Sequence, residues 1–203
     1  MLDLSGMIRE TVVLKSAHFR VTEFELVTRH ALIPVIRAKL LDGIQEFQLA
    51  TSPVENHFCM ALEEALANAF FHGNLELCSS LKEDCSTRFL DLAAEREQQL
   101  PYSNRKIHIT QTVGRPGMWI TIRDEGRGFN VAAVMERCND PETLLSSGRG
   151  LMMMHALTDE LFFNNVGNEV TLVLYGRSED RELPIATADS VKNSELERCL
   201  VFS

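Results

Sequence analysis

Hydrophobic and polar residues alternate along the middle of the chain, over residues 107–112. The two alternating sets are Ile107, Ile109 and Gln111 against His108, Thr110 and Thr112. A period of two predicts a strand with one buried face. A turn at 115–117 (Arg-Pro-Gly) and a second extended run at 119–123 predict that this strand returns as a hairpin.

Four further segments are predicted to be extended. Residues 11–14 and 20–27 are rich in Val, Phe and Thr, and residues 161–164 and 169–174 flank an Asn-Val-Gly-Asn turn. Short helices are predicted at 131–138 and 150–157. Strands and helices therefore both contribute to the fold.

An amphipathic helix is predicted to follow residues 20–27. Thr28 or His30 is its candidate cap, Pro34 lies near its first turn, and Gly43 lies near its predicted end. Its apolar stripe consists of Leu32, Ile33, Ile36, Leu40 and Leu41.

The clearest predicted helix begins at Ser52 and runs to about Phe71, with Gly73 as a stop signal. Ser52 is its candidate N-cap, Pro53 occupies the first helical position, and Glu55 completes a capping box. Its core-facing stripe has a period of 3.6 and consists of Phe58, Leu62, Ala65, Leu66 and Ala69.

Residues 75–103 form a distinct acidic segment. Residues 86–99 are predicted to form a helix that turns Phe89, Leu92 and Ala93 inward and ends at Leu100-Pro101. A connection of this length within one domain is usually functional or disordered. Two interpretations stay open: a solvated surface excursion, or a helix that packs on the domain and shapes a partner surface or a homodimer contact.

The chain is predicted to divide into an N-terminal extension (1–19), one domain (20–176, with the insert 75–103) and a polar C-terminal tail (177–203). Its 203 residues are 45% hydrophobic, which is enough for a globular core. The formal net charge of −9 disfavours a direct nucleic-acid partner, because a phosphate backbone binds basic surfaces.

No stretch approaches the roughly 18 apolar residues of a membrane span, and the first ten residues have no apolar signal region. A cytoplasmic protein without a membrane partner is therefore expected. The five cysteines form no C-x-x-C pair, which favours reduced thiols over a redox or metal role.

The first candidate site lies in the helix that begins at Ser52. Glu64 and Asn68 are four residues apart, so on a helix their side chains share one face. A carboxylate can act as a general base, and an asparagine carbonyl oxygen suits Mg²⁺. Glu63 lies about 100° away, on the side remote from Asn68. The alternative is an ordinary solvated glutamate.

The second candidate site is Asp-Glu-Gly-Arg-Gly-Phe at 124–129, directly after a predicted strand. Asp124 at the strand end can accept a hydrogen bond from an exocyclic amine. Gly126 and Gly128 allow the backbone to approach a ligand closely. By itself, this string is also typical of a simple turn.

The third candidate site is Ser-Ser-Gly-Arg-Gly-Leu at 146–151, which is predicted to open a helix. Gly148 and Gly150 before a helix N-terminus would leave backbone N–H groups free to bind an anion. Arg149 between them could reach a phosphate. The three methionines at 152–154 are more typical of core filling.

In this order and spacing, the three clusters resemble the N box, G1 box and G2 box of the Bergerat-fold ATPases, the superfamily of gyrase, MutL and the histidine kinases. Glu64 and Asn68 followed by His72-Gly73 resemble the small anti-sigma-factor serine/threonine kinases. The resemblance implies an α+β fold, a two-layer α/β sandwich. Its mixed, mostly antiparallel sheet would carry helices on one face, and residues 20–176 would form a histidine-kinase-like ATPase domain.

The resemblance also implies roles for individual residues, with ATP and Mg²⁺ as cofactors. Glu64 falls on the general base, Asn68 on the Mg²⁺ ligand and Asp124 on the adenine-binding acid. Thr171 looks like the threonine that helps the aspartate hold adenine. The phosphate-lid glycines correspond to Gly126, Gly128, Gly148 and Gly150.

The implied function is ATP-dependent phosphorylation of a Ser or Thr in a small anti-anti-sigma (STAS-type) protein, with a sigma factor as a second partner. The long insert 75–103 and the tail depart from compact family members, which leaves the partner open. One alternative is an ATP-dependent partner-binding module with little kinase activity, although Glu64 favours a kinase. The other is a histidine-kinase catalytic domain, for which His18 and His30 lack paired long helices.

Overall fold

The computed structural model describes residues 6–78, 88–138 and 146–176. Within these ranges, six strands form one sheet in the order β1-β2-β3-β4-β6-β5, and every pairing is antiparallel. The strands are β1 (Ile8–Lys15), β2 (Phe19–Val27), β3 (Lys106–Gly114), β4 (Gly117–Arg123), β5 (Glu160–Phe163) and β6 (Glu169–Tyr175). The predicted α+β fold is confirmed, although this sheet is entirely antiparallel and not mixed.

The hairpin β3–β4 confirms the strongest alternation in the sequence. Its two-residue loop joins Gly114 and Gly117, which lie opposite each other in the register. Gln111 is fully buried with the apolar set and donates its Nε2 to the Leu40 carbonyl at 2.6 Å. Burial of this polar side chain is tolerated because its amide is hydrogen-bonded.

Strand β1 lies in the segment predicted to be an N-terminal extension. It pairs with β2 from Ile8 to Lys15 and forms one edge of the sheet. Residues 1–5 and the predicted tail 177–203 lie outside the described residues.

Helices cover one face of the sheet and bury the main apolar core. The helices are α1 (Ile33–Phe47), α2 (Ser52–Ala67), α3 (Arg88–Arg96), α4 (Val131–Cys138) and α5 (Ser146–Ala156). A π-helical turn (Asn68–Asn74) continues α2, and 3-10 turns occur at His30–Leu32 and Tyr102–Asn104. The predicted stripes of α1 and α2 lie in this core, except that Leu41 is only partly buried. No helix in the described ranges is long and apolar enough to cross a membrane.

The sequence predicted that Gly43 lies near the end of α1, but in the structure Gly43 lies inside the helix. The helix continues to Phe47, and Gln48 ends it with a left-handed backbone at φ 52°. A Cβ on Gly43 would lie 3.1 Å from Val113 Cγ2 of β3. This glycine therefore permits close helix–sheet contact and does not stop the helix.

The predicted capping box of α2 is wrong. Thr51 precedes the helix as its N-cap residue, and no side chain caps the helix. The Glu55 carboxylate instead accepts a hydrogen bond from Gln45 Nε2 at 2.7 Å. A partner from α1 has replaced the local one.

Helix α3 packs on the domain through a small apolar cluster of its own. Phe89 and Ala93 are buried there, as predicted, and Phe71 contacts the Phe89 ring at a centroid distance of 5.2 Å. Buried Glu97 accepts hydrogen bonds from the backbone N–H and the ring Nδ1 of His30, both at 2.7 Å. The predicted helix start at 86–87 lies outside the described residues.

Candidate functional site

One face of α2 carries two polar side chains with no internal partner. Glu64 and Asn68 lie one turn apart and are half-buried. Neither side chain makes a hydrogen bond or ion pair within the described part of the chain. The neighbouring Glu63 is exposed and is ion-paired with Arg37 of α1. Glu64 and Glu63 therefore lie on different sides of α2 with different surroundings, as the helical spacing predicted.

Helix α5 lies directly against the Glu64 carboxylate. A Cβ on Gly150 would be 2.0 Å from Glu64 Oε1, so a larger residue would displace that carboxylate. Gly148 and Gly150 lie within α5, which begins at Ser146, and not before the helix as predicted. The first turn still supplies N–H groups without intrahelical acceptors, because every helix leaves its first four unpaired.

Arg149 is exposed in the first turn of α5. Helix α5 therefore carries a positively charged side chain next to the residue that contacts Glu64. Glu64, Asn68 and Gly150 therefore form one cluster, to which Arg149 is adjacent in sequence.

Asp124 follows β4 and is buried, with 8% of its surface exposed. Its Oδ1 accepts the Gly126 N–H at 2.8 Å, and its own N–H donates to the Asn168 carbonyl at 3.0 Å. Among the described residues, Oδ2 has no hydrogen-bond donor. Burial raises the pKa of the Asp124 carboxyl to about 6, and the Gly126 hydrogen bond opposes that rise.

Two glycines lie beside Asp124, where the backbone comes too close to leave room for a side chain. A Cβ on Gly73 would lie 2.3 Å from the Asp124 carboxyl carbon, and a Cβ on Gly126 would lie 2.4 Å from the Gly73 carbonyl oxygen. Gly73 therefore belongs to this site, although the sequence pattern identified it as a helix stop and as part of the His72-Gly73 motif and not as a neighbour of Asp124.

Gly128 locks the loop after Asp124 against the β5–β6 turn. It has a left-handed backbone (φ 69°), and a Cβ there would lie 2.1 Å from the Val166 carbonyl oxygen. Phe129 N–H donates to that same carbonyl at 3.1 Å. Gly128, two residues after Gly126, therefore determines the path of this loop.

The π-helical turn Asn68–Asn74 connects the two clusters. The Leu75 N–H donates to the Phe70 carbonyl, five residues back, at 3.0 Å. Single π turns inside α-helices are frequent at functional sites. Here the turn begins at Asn68 and brings Gly73 onto Asp124.

The structure does not bring Thr171 to Asp124. Val170 and Leu172 of β6 face the helices, so strand alternation directs Thr171 to the opposite face of the sheet. Its Oγ1 lies 2.8 Å from Thr121 Oγ1 there. Asn168, which precedes β6, contacts Asp124 instead, donating Nδ2 to its carbonyl at 3.1 Å. No role at the site is assigned to Thr171.

The described residues contain no group of three or more His, Cys, Asp and Glu side chains that could hold a metal ion. Asn68 fits Mg²⁺ in a different way, because this cation is commonly held by one or two protein oxygens together with substrate phosphates and water. The buried, half-satisfied carboxylate of Asp124 fits an amine donor.

Comparison with known proteins agrees with this geometry. Residues 28–174 match the family model described as the histidine kinase-like ATPase domain. The match contains all three candidate clusters. No curated protein matches the chain. The chain belongs to the histidine kinase-like ATPase domain family, and membership implies ATP binding.

Proposed function

We propose that this chain is an ATP- and Mg²⁺-dependent serine/threonine protein kinase of the anti-sigma-factor type. The observation that carries the proposal is the state of the Glu64 carboxylate. It is half-buried, unpaired within the described residues, in contact with α5, and one turn from Asn68. A carboxylate with no structural partner beside a cation ligand has the arrangement that a general base needs.

Adenine is proposed to lie against Asp124, whose Oδ2 would accept the exocyclic amine. Asn68 Oδ1 would ligate Mg²⁺, which when bound neutralises charge on the phosphates. The N–H groups of the first turn of α5 would face the phosphates, as helix N-termini do in other anion sites. Arg149 would add a charge-assisted hydrogen bond at the same place.

Glu64 would act on the partner's hydroxyl group. The hydroxyl oxygen forms a bond to the γ-phosphorus while the bond from that phosphorus to the ADP oxygen breaks. The hydroxyl proton passes to Glu64. Such a transfer depends mainly on positioning and electrostatics, so the protein needs few other groups.

The proposed substrate is a small anti-anti-sigma protein of the STAS type, with a sigma factor as a second partner and a homodimer as an alternative assembly. The proposed place of this contact is helix α3, with Leu90, which is 55% exposed, as the candidate apolar contact. A cytoplasmic location and the absence of a nucleic-acid or membrane partner remain part of the proposal.

Two alternatives differ from this proposal in what would be phosphorylated. A partner-binding module would use the same ATP site without transfer. A histidine kinase would need a phosphoacceptor on a helical hairpin. The described residues before α2 form β1, β2 and α1 instead, and His30 is engaged by Glu97.

Capture of partners from a cell extract with and without ATP, followed by mass spectrometry, tests the proposal. The expected result is phosphoserine or phosphothreonine on a captured protein. ATP-dependent capture without any phosphate would support the binding module. Phosphohistidine on the chain itself would support the histidine kinase.

A further inference from the structure

Asn74 ends the π-helical turn and is fully buried, with no exposed surface. Its side chain uses both polar ends. Nδ2 donates to Thr28 Oγ1 at 2.8 Å and to the Lys106 carbonyl at 2.9 Å. Oδ1 accepts the Glu125 N–H at 2.7 Å. Only a primary amide supplies two donors and an acceptor from this one position.

The Glu125 hydrogen bond acts on the residue next to Asp124. Gly73, which precedes Asn74, touches the Asp124 carboxylate, and the Gly73 carbonyl oxygen lies against Gly126. The segments 73–74 and 124–126 are thereby fixed to each other by one hydrogen bond and two close contacts. Asn68 begins the π-helical turn that Asn74 ends. These contacts therefore also fix the position of Asp124 relative to Asn68.

Two strands anchor Asn74 from the opposite side. Thr28 follows β2 and donates its own Oγ1 to the Arg105 carbonyl at 2.6 Å, and Arg105 in turn donates to the Asn74 carbonyl at 2.6 Å. This ring of hydrogen bonds leaves the Asn74 amide one orientation. A buried, fully satisfied polar network specifies a unique arrangement of its surroundings.

We propose that Asn74 is a positioning residue for base recognition: by holding the Glu125 N–H it sets the orientation of Asp124 toward the exocyclic amine of adenine. The inference rests on the proposed function, because it takes Asp124 to be the base-binding group. Asn74 does not contact nucleotide in this account and acts through Asp124.

The ratio of ATP affinity to ITP affinity isolates this role. ITP has a keto oxygen where ATP has its exocyclic amine, so an aspartate that accepts the amine should favour ATP by at least tenfold. Asn74→Ala should reduce that ratio by roughly fivefold or more, since a small misplacement weakens a directional contact. Affinity for the phosphates is shared by both nucleotides and cancels in the ratio.

Two matched variants separate positioning from stability. Thr28→Val removes a buried hydrogen bond of Asn74 but leaves the Glu125 bond, so it should lower the melting temperature and keep the ratio within about twofold. Asn74→Asp keeps an acceptor for the Glu125 N–H but loses both donors, so it should lower the melting temperature and reduce the ratio less than Asn74→Ala does.

Titration calorimetry with ATP and with ITP measures the affinity ratio of the wild type and of each variant. An unchanged ratio in Asn74→Ala, or an equal loss in Thr28→Val, overturns the role of Asn74. If Asn74→Ala does not fold, amide hydrogen exchange of the wild-type chain decides: the Glu125 amide should be protected without nucleotide, and rapid exchange overturns the inference. Failure of the wild type to distinguish ATP from ITP would instead refute Asp124 as the base-binding group.

Discussion

The two ends of the π-helical turn differ in whether their polar side chains are hydrogen-bonded within the described part of the protein. At the Asp124 end (Gly73, Asn74, Asp124 and Gly126), hydrogen bonds and close backbone contacts define the geometry. At the Glu64 end (Glu64, Asn68 and Gly150), the two polar side chains have no partner in the described structure.

The difference indicates two kinds of recognition. The Asp124 end is preorganised and presents one free oxygen, as suits a flat base with a fixed pattern of donors. Polar groups inside a protein are normally hydrogen-bonded, so the half-buried Glu64 and Asn68 are open to partners from outside the chain. The Glu64 end is therefore expected to be completed by cation, phosphate and the attacking hydroxyl.

The largest expected effect comes from Glu64→Gln. Phosphoryl transfer should fall by about 10²-fold or more, the usual contribution of a positioned base, while ATP affinity stays unchanged because the amide keeps the shape. Glu63→Gln is the matched control and should transfer at the wild-type rate. Quenched-flow measurement of single-turnover transfer checks this, and equal rates in both variants would remove Glu64 from the chemistry.

The Asp124 end should show a pH-dependent stability. The pKa of Asp124 is raised from 3.8 to about 6 in the folded protein, so the folded state binds the proton more tightly than the unfolded state. Stability from this group is therefore lost as pH rises from about 4 to about 6, by on the order of 3 kcal/mol.

Asp124→Asn removes this titration. Its free energy of unfolding in urea should exceed that of the wild type at pH 8, and the difference should shrink toward pH 4. A difference that is constant with pH would mean that burial does not perturb Asp124.

The same variant should bind ATP less well. An amide is a weaker acceptor or presents a donor to the exocyclic amine, so affinity at pH 7.5 should fall at least tenfold, or about 1.4 kcal/mol. GTP binding should be weak in both proteins. Undiminished ATP binding in a calorimetric titration would exclude Asp124 from the pocket.

A smaller effect is expected from Gly150→Ala. The added Cβ would meet the flexible end of Glu64, so the side chain can move without unfolding the helix. Transfer should fall roughly tenfold, within the range that misplacement of a reacting group causes, and ATP affinity should change little. Met152→Ala, on the exposed part of the same helix, serves as the control, and equal transfer rates would argue against this contact.

Much of the fold was predictable from local signals: alternation in β3, residue types and turns for the other described strands, and the apolar stripes of α1 and α2. The sequence of β6 itself contained a signal against Thr171, which lies between the apolar Val170 and Leu172. The errors at Gly43 and Glu55 share a physical cause, since tertiary contacts with Val113 and Gln45 replaced the local roles that the sequence indicated.

The candidate site was predictable in its residue types but not in its connections. Glu64, Asn68 and Gly150 come together as the motif order implied. The π turn packs against residues distant in sequence, Asp124 and Gly126, and the sequence analysis did not predict it. Asn74 directly follows His72-Gly73 in the sequence, yet its three partners come from the residue after β2, from β3 and from the Asp124 loop, which only the folded chain brings together.

The most direct test of the central claim is a crystal structure with a non-hydrolysable ATP analogue and Mg²⁺. The exocyclic amine should donate to Asp124 Oδ2, Asn68 Oδ1 should bind the cation, and Glu64 should face the γ-phosphate. Adenine bound at the Glu64 end, or a cation held without Asn68, would contradict that claim.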